Sequence, residues 1–247
     1  CACGGRPSGG LAYFENTGTA NVSQFVARTG TSNPFDGLEG GEHCKPAFAD
    51  VDHDNDHDLV LGDISGALKY FENTGTAAAP HFVARVGGAN PFASVNVHNR
   101  SAPALIDYDK DGDLDLAVGC ANGTIVYYEN TGTAKLPEYV LVAPSASPFA
   151  FVDVFTNSAP VFGNLSGDGS AELIVGGMRY EYYQDDDEWT QVGRFFYYDK
   201  ITESAGSQFV ARTGKANPLP FEISNGPSKP TLGDIDSDGA SQRPARD

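Results

Sequence analysis

The 247-residue chain carries 16 Lys and Arg against 33 Asp and Glu, a formal net charge of −17 with a pI near 4.5. That balance excludes nucleic acid and insertion into an anionic membrane, which need clustered basic residues, and no apolar run approaches the roughly 20 residues of a membrane span. Hydrophobic residues at 40% suffice for a core, while 29 Gly and 15 Pro beside one Met and one Trp describe many turns and short strands.

Taken in chain order, the sequence repeats itself. Residues 1–5 align with 58–62, the second strand of a unit. Tyr13-Phe14-Glu15-Asn16-Thr17-Gly18-Thr19-Ala20 returns at 70–77 and 127–134, a period of 57, and a degenerate copy, Tyr197-Tyr198-Asp199-Lys200, lies 70 residues after the third. Phe25–Gly30 recurs at 82–87, in weakened form at 139–144 and again at 209–214. Asn33-Pro34-Phe35, Asn90-Pro91-Phe92, Ser147-Pro148-Phe149 and Asn217-Pro218-Leu219 follow in step, and Pro46, Pro103, Pro160 and Pro230 each open an acidic stretch. The chain therefore reads as one repeat domain over 1–247. Its units are approximately 1–45, a partial unit that 228–247 would complete if the ends join, then 46–102, 103–159 and 160–227, the last enlarged by a 13-residue insertion.

The unit after Pro103 shows the local pattern. Ala104–Ile106, an acidic turn, Leu114–Gly119, a Gly-containing turn, Thr124–Glu129, the Asn130-Thr131-Gly132 turn and Glu138–Val142 make four predicted strands separated by turn chemistry. No window carries the 3.6-residue apolar period of a long helix. A four-stranded sheet of this size cannot bury both faces alone, so neighbours must stack, and radial stacking gives an all-β propeller of four-stranded antiparallel blades, about four in this chain. Two readings of the ends stand side by side. A ring of four blades closed by joining the two ends fits the period count; a fragment of a larger propeller fits the polar tail 241–247 and the start at Cys1 without a Met.

The acidic turns carry the chemistry. Asp107, Asp109, Asp111, Asp113 and Asp115 alternate with other residues, and Gly112 permits a sharp turn. Carboxylates at that density repel one another without a cation, and hard oxygen donors select Ca²⁺. Asp107, Asp109, Asp111 and Asp115 are read as side-chain ligands and Asp113 as a backbone-carbonyl ligand. An EF-hand shares the opening but needs an acid at position 12, where this loop has Val118, and a following helix. Asp50, Asp52, Asp54, Asp56 and Asp58 repeat the pattern with Asn55 at the turn. Asn164, Ser166, Asp168, Ser170 and Glu172 keep it with fewer charges, and Asp234, Asp236 and Asp238 form an incomplete copy ending at Gln242.

The loop, an apolar strand closing on Gly119, a Gly turn and a Tyr-x-Glu-Asn-Thr-Gly strand together resemble the FG-GAP/VCBS repeats of integrin-like β-propellers. The resemblance implies calcium on the loop between the first two strands of each blade and an extracellular or cell-surface setting. It leaves the ligand open, since such repeats occur in adhesion heads, fungal lectins and accessory domains of secreted enzymes.

The insertion, residues 178–192, is expected to form a projecting hairpin whose Tyr180, Tyr182 and Trp189 offer an aromatic platform for a sugar or peptide, or pack on a neighbouring blade. His53 and His57 fall between loop acids and read as solvated spacers. Cys1, Cys3, Cys44 and Cys120 are an even set without metal spacing; a disulfide involving Cys1 or Cys3 and buried thiols are the alternatives. Asn21-Val-Ser23, Asn99-Arg-Ser101 and Asn122-Gly-Thr124 are glycosylation sequons. No hydrolase, metalloprotease or nucleotide-binding fingerprint appears. The resulting expectation is a non-catalytic, calcium-stabilised recognition or adhesion module for a glycan or extracellular protein. A structural repeat that self-associates and an accessory domain of a secreted enzyme are the alternatives.

Overall fold

The computed structural model describes residues 2–3, 10–19, 22–166, 169–183, 188–203, 206–213, 217–219, 222–224 and 229–231. Four antiparallel sheets, one per repeat, account for them. The first contains β1 (Ala2–Cys3), β2 (Leu11–Asn16) and β3 (Phe25–Arg28) in that order. The second is a meander of β4 (Lys45–Ala49), β5 (Asp58–Gly62), β6 (Leu68–Asn73) and β7 (Phe82–Arg85). The third repeats it with β8 (Ala102–Ile106), β9 (Asp115–Gly119), β10 (Ile125–Asn130) and β11 (Tyr139–Leu141). The fourth contains β12 (Thr156–Gly163), β13 (Glu172–Tyr183), β14 (Glu188–Glu203) and β15 (Gly206–Arg212), with β16 (Glu222–Ser224) pairing β14 as a fifth strand.

The all-β class is thus borne out, and the sheets match a propeller of about four blades. Two 3₁₀ turns, Gly30–Ser32 and Gly87–Ala89, are the only helical segments among the described residues. β1 stands beside β2 as β5 stands beside β6, but Cys3↔Leu11 against Gly62↔Leu68 sets residues 2–3 on 61–62, two residues off the alignment of 1–5 with 58–62. The insertion is a hairpin in which β13 and β14 stay in register from Leu173↔Tyr198 to Tyr183↔Glu188. The chain forms two compact units, residues 1–118 with 128–142 and residues 119–127 with 143–247.

Two recurrent devices join successive sheets. The first is the aromatic of the Asn-Pro-Phe segment. Asn33 and Asn90 accept the amides of Phe35 and Phe92 at 3.0 and 2.9 Å and donate to the carbonyls of Leu11 and Leu68, which aims each ring inward. Phe35, Phe92 and Phe149 are buried. Each meets its own repeat's tyrosine edge-on, Tyr13, Tyr70 and Tyr127, at 5.5–5.8 Å between centroids. Each also lies against a fourth-strand aromatic of the next repeat: Phe82 at 5.1 Å, Tyr139 at 4.8 Å and Phe209 at 5.2 Å.

The second device is a buried hydroxyl where backbones touch. A Cβ on Gly62 or Gly119 would lie 2.3 or 2.4 Å from the carbonyl oxygen of Ser101 or Ser158. At that contact Ser101 Oγ accepts the Asp63 amide at 2.9 Å and donates to the Ala67 carbonyl at 2.8 Å; Ser158 does the same with Cys120 and Thr124, at 2.7 Å each. The equivalent residue one period earlier is Cys44, which is disulfide-bonded and 2% exposed. Cys120, by contrast, is a buried thiol.

Because serine is native at two of the three positions, Cys44→Ser should retain a polar contact that Cys44→Ala loses. Both variants forfeit the disulfide, typically about 2–4 kcal/mol. Denaturant unfolding should place the serine variant above the alanine variant by roughly 1 kcal/mol, the net worth of a buried hydrogen bond; equal stabilities would contradict the equivalence.

Candidate metal centres

Among the described residues, each acidic loop links the first strand of a sheet to the second. In the loop between β4 and β5, His53 and Asn55 adopt left-handed backbone conformations, φ 58° and 75°. Lys110 and Gly112 repeat them between β8 and β9 at 67° and 96°. Asp50 accepts the amides of Asp54 and Asn55 at 3.0 and 3.1 Å, and Asp54 accepts that of Asp56 at 3.1 Å. In the later copy Asp109 and Asp111 accept the amides of Asp111 and Asp113 at 3.2 and 3.0 Å. Carboxylates that cap their own loop in this way curl the turn around itself.

The curl brings oxygens of Asp50, Asp52 and Asp54 within 4.8 Å of one another, and likewise those of Asp107, Asp109 and Asp111. Four carboxylate oxygens in the two loops are buried without a hydrogen-bond donor: Oδ1 of Asp52, Asp56, Asp107 and Asp113. A buried anionic oxygen with no partner is costly. The seventh position recurs in the two loops, which are 57 residues apart, joined by the third position in one and the first in the other. Cation ligation supplies the missing partner, and an all-oxygen donor set suits a hard cation.

The structure separates the loop acids by task. Asp50, Asp52, Asp54, Asp107, Asp109 and Asp111 converge. The side chains of Asp56 and Asp113, expected to contribute only through the backbone, are themselves buried at 7% and 9% exposure. The ninth-position acids brace the turn. Asp58 accepts the amides of Val51 (3.1 Å) and Asn73 (2.7 Å) and the Tyr70 hydroxyl (2.9 Å). Asp115 accepts those of Tyr108 (3.3 Å) and Asn130 (2.8 Å), and Glu172 accepts those of Leu165 and Ser166. His53 and His57 are exposed spacers outside both triads.

In the third loop Asn164 and Ser166 are exposed, Ser170 is half-buried and Gly169 takes φ 84°, the turn of its counterparts. Asp168 lies outside the described residues, as do Asp234, Asp236 and Asp238 of the fourth loop. In the hairpin Tyr180 is 54% exposed and its hydroxyl accepts Gln191 Nε2 at 3.0 Å. Tyr182 and Trp189 face each other in the strand register, their side chains outside the described ones.

One residue type was read only as a turn former. Asn73, 2% exposed, donates its amide to Asp58, accepts the amides of Gly75 and His81 at 3.1 and 2.8 Å, and hydrogen-bonds Asp56 through its side chain. Asn130 makes the equivalent bonds to Asp115, Gly132 and Glu138. The signal was present: an invariant Asn stands 15 residues after each ninth-position Asp.

Residues 107–175, from the first acid of one loop through the whole of the next, match the model of the FG-GAP-like repeat. The chain thus contains an FG-GAP-like repeat, and the acidic loop, β9–β12 and the next loop fall within it. No curated protein sequence matches the chain. Such repeats often bind calcium, and the two aspartate clusters are able to hold a cation.

Burial, opposed by the donors Asn73, Tyr70 and Val51, pushes the Asp58 carboxyl up to about 6. Burial and then the neighbouring acids also raise Asp52, Asp56 and Asp113. A carboxyl raised in the fold holds its proton more tightly there than in the unfolded chain, so stability rises as pH falls through that window. Glu72 is lowered, first by its hydrogen bond from Arg85, and that contribution is lost only at lower pH. In chelator the melting temperature should therefore be higher at pH 5 than at pH 7, and Asp52→Asn should flatten the difference. In excess Ca²⁺ the order should reverse, because protons compete with the ion. A chelated protein that is less stable at pH 5 would contradict this.

Proposed function

We propose that the chain is a calcium-stabilised, extracellular and non-catalytic recognition module that presents its loops to a glycan or protein partner. The observation that carries the calcium part is the set of unpartnered buried oxygens on Asp52, Asp56, Asp107 and Asp113, placed in the same loop of two repeats. Asp50, Asp52, Asp54 and Asp56 would hold one ion and Asp107, Asp109, Asp111 and Asp113 the other, with Asp58 and Asp115 holding each loop in shape. The ion supplies positive charge that turns clustered carboxylates from a liability into a cross-link, and its binding energy adds to folding.

Three features support the setting. Cys44 is disulfide-bonded, a state favoured outside the reducing cytosol. Asn99 and Asn122, both sequon residues, are exposed. FG-GAP-like repeats are typical of extracellular proteins. Recognition is preferred to catalysis because the acids recur in register, as repeated metal sites do and a unique catalytic pair does not. One observation favours the self-associating alternative: Phe14, Val22 and Phe25 of the first repeat are 47%, 71% and 60% exposed. Concentration-dependent sedimentation would reveal it.

Calorimetric titration should find two Ca²⁺ per chain from the two complete loops, with Kd of order 10⁻⁴–10⁻³ M as in extracellular modules. At a hundredfold excess over Kd each site adds about 2.7 kcal/mol of stability. Asp52→Asn and Asp109→Asn should each remove one site, and Asp52→Asn should also raise the stability of the chelated protein by removing a buried unpaired charge. A melting temperature indifferent to chelator would sink the proposal.

A further inference from the structure

The inserted hairpin of the fourth sheet walls one side of a cleft. Phe155, Thr156, Met178, Arg179, Tyr180 and Glu181 line an open cleft of about 640 Å³, within the range of ligand sites. Thr156 pairs with Met178 at the start of β12, and past it β13 continues paired with β14 as the hairpin. The cleft therefore sits in the angle between the ordinary sheet and the insertion.

Phe155 is the unusual member. It is 53% exposed and has φ 71°, a conformation that a bulky residue rarely adopts. Its equivalents one and two periods earlier are His98 and Gly41, with φ 64° and 85°. The left-handed backbone is thus a property of the repeat, whereas the aromatic ring is particular to this copy. The segment is pinned: the Val154 amide donates to the Gly123 carbonyl, Phe155 to Asp153, Asn157 to Ala121, and the Thr156 hydroxyl to Met178. A ring that contributes little to the core is held outward on a backbone that disfavours it, and such strain persists where surroundings over-determine it.

Around the ring are polar groups of both kinds. The Arg179 guanidinium lies 6.0 Å from the Phe155 centroid, and the Phe196 ring lies 6.1 Å away, tilted by 53°. Glu181 receives ion pairs from Arg179 and, at 3.1 Å, from Arg194. The Arg179 Nε donor has no acceptor among the described residues. Tyr180, which alternates to the opposite face of β13 from Arg179 and Glu181, exposes its ring there with the hydroxyl fixed by Gln191.

We propose that this cleft is a binding site for a neutral pyranose sugar, which stacks a C–H face on Phe155 while its hydroxyls bridge the Arg179–Glu181 pair. A pyranose matches the chemistry: its ring has one apolar face and a rim of groups that both donate and accept. The balance of Arg179 and Arg194 against Glu181 and the nearby Asp153 gives no net charge to draw an acidic ligand. An extended peptide adding to the outer edge of β13 would meet Arg179 and Glu181, charged residues of the kind that guard strand edges. The proposal rests on the recognition role above and assigns its ligand class and location.

Saturation-transfer NMR on the full, Ca²⁺-loaded chain tests it, with the methyl glycosides of glucose, galactose, mannose, fucose and N-acetylglucosamine as probes. At least one should receive saturation concentrated on the C–H protons of one ring face. Phe155→Gly should weaken that binding at least about tenfold, as loss of a stacking ring does. The same variant should melt no lower than the wild type, because glycine is native at the equivalent Gly41 and relieves the positive φ. Glu181→Gln should weaken binding too, whereas Phe151→Ala, an exposed ring outside the cleft, should leave it unchanged. No transfer to any glycoside, or transfer that survives Phe155→Gly, overturns the proposal. Melting the same samples with and without chelator separates the outcomes: a preserved Ca²⁺ response with no sugar binding removes the cleft alone.

Discussion

Anionic oxygens packed into a turn too tight to hydrate them are the constraint on which the rest of this protein depends. The loops at 50–58 and 107–115 bury carboxylate oxygens that no donor reaches, while their remaining oxygens cap the loop's own amides. Without a counter-charge the repulsion and desolvation work against the fold. With one, the same atoms become a rigid corner between the first two strands of a sheet. Asn73 and Asn130 carry that corner further, tying the ninth-position acid to the turn after the third strand. The metal loop and the Asn-Thr-Gly turn are therefore one connected structure.

From these corners the sheets pass to one another through a fixed set of contacts. An inward phenylalanine reaches the next repeat's fourth strand, and a buried serine sits where glycine lets two backbones meet. Periodicity at this level separates what the architecture requires from what one copy adds. The positive φ at Gly41, His98 and Phe155 belongs to the architecture; the exposed phenyl ring at the last of them does not. The same comparison marks Cys44 as a substitution of covalent linkage for the hydroxyl found at Ser101 and Ser158.

Much of this was legible in the residues. The 57-residue period and the alternating acids located the sheets and both complete loops, because strands and tight turns are set by local chemistry that repeats in place. The strands expected between 104 and 142 appear within a residue or two of β8–β11. Less accessible was the division of labour among the acids: Asp54 and Asp58 look alike in a string, and only the donors, Val51 from the loop itself and Tyr70 and Asn73 from β6, distinguish a bracing carboxylate from a converging one. Long-range pairing also hid the cleft. Nothing local to Phe155 predicts that a hairpin inserted some twenty residues later will wall it in. The fifth strand of the last sheet, β16 on β14, was hidden for the same reason.

The central claim is that a cation completes the two acidic loops, and the amides those loops cap report on it most directly. Hydrogen exchange read residue by residue at Asp54, Asn55, Asp56, Asp111 and Asp113, with Ca²⁺ and with chelator, isolates the loops from global stability. The account predicts that Ca²⁺ slows exchange at these amides more than at β6 or β10, where strand bonds already protect the backbone. Equal protection in the two conditions, or a change spread evenly over the chain, would contradict it.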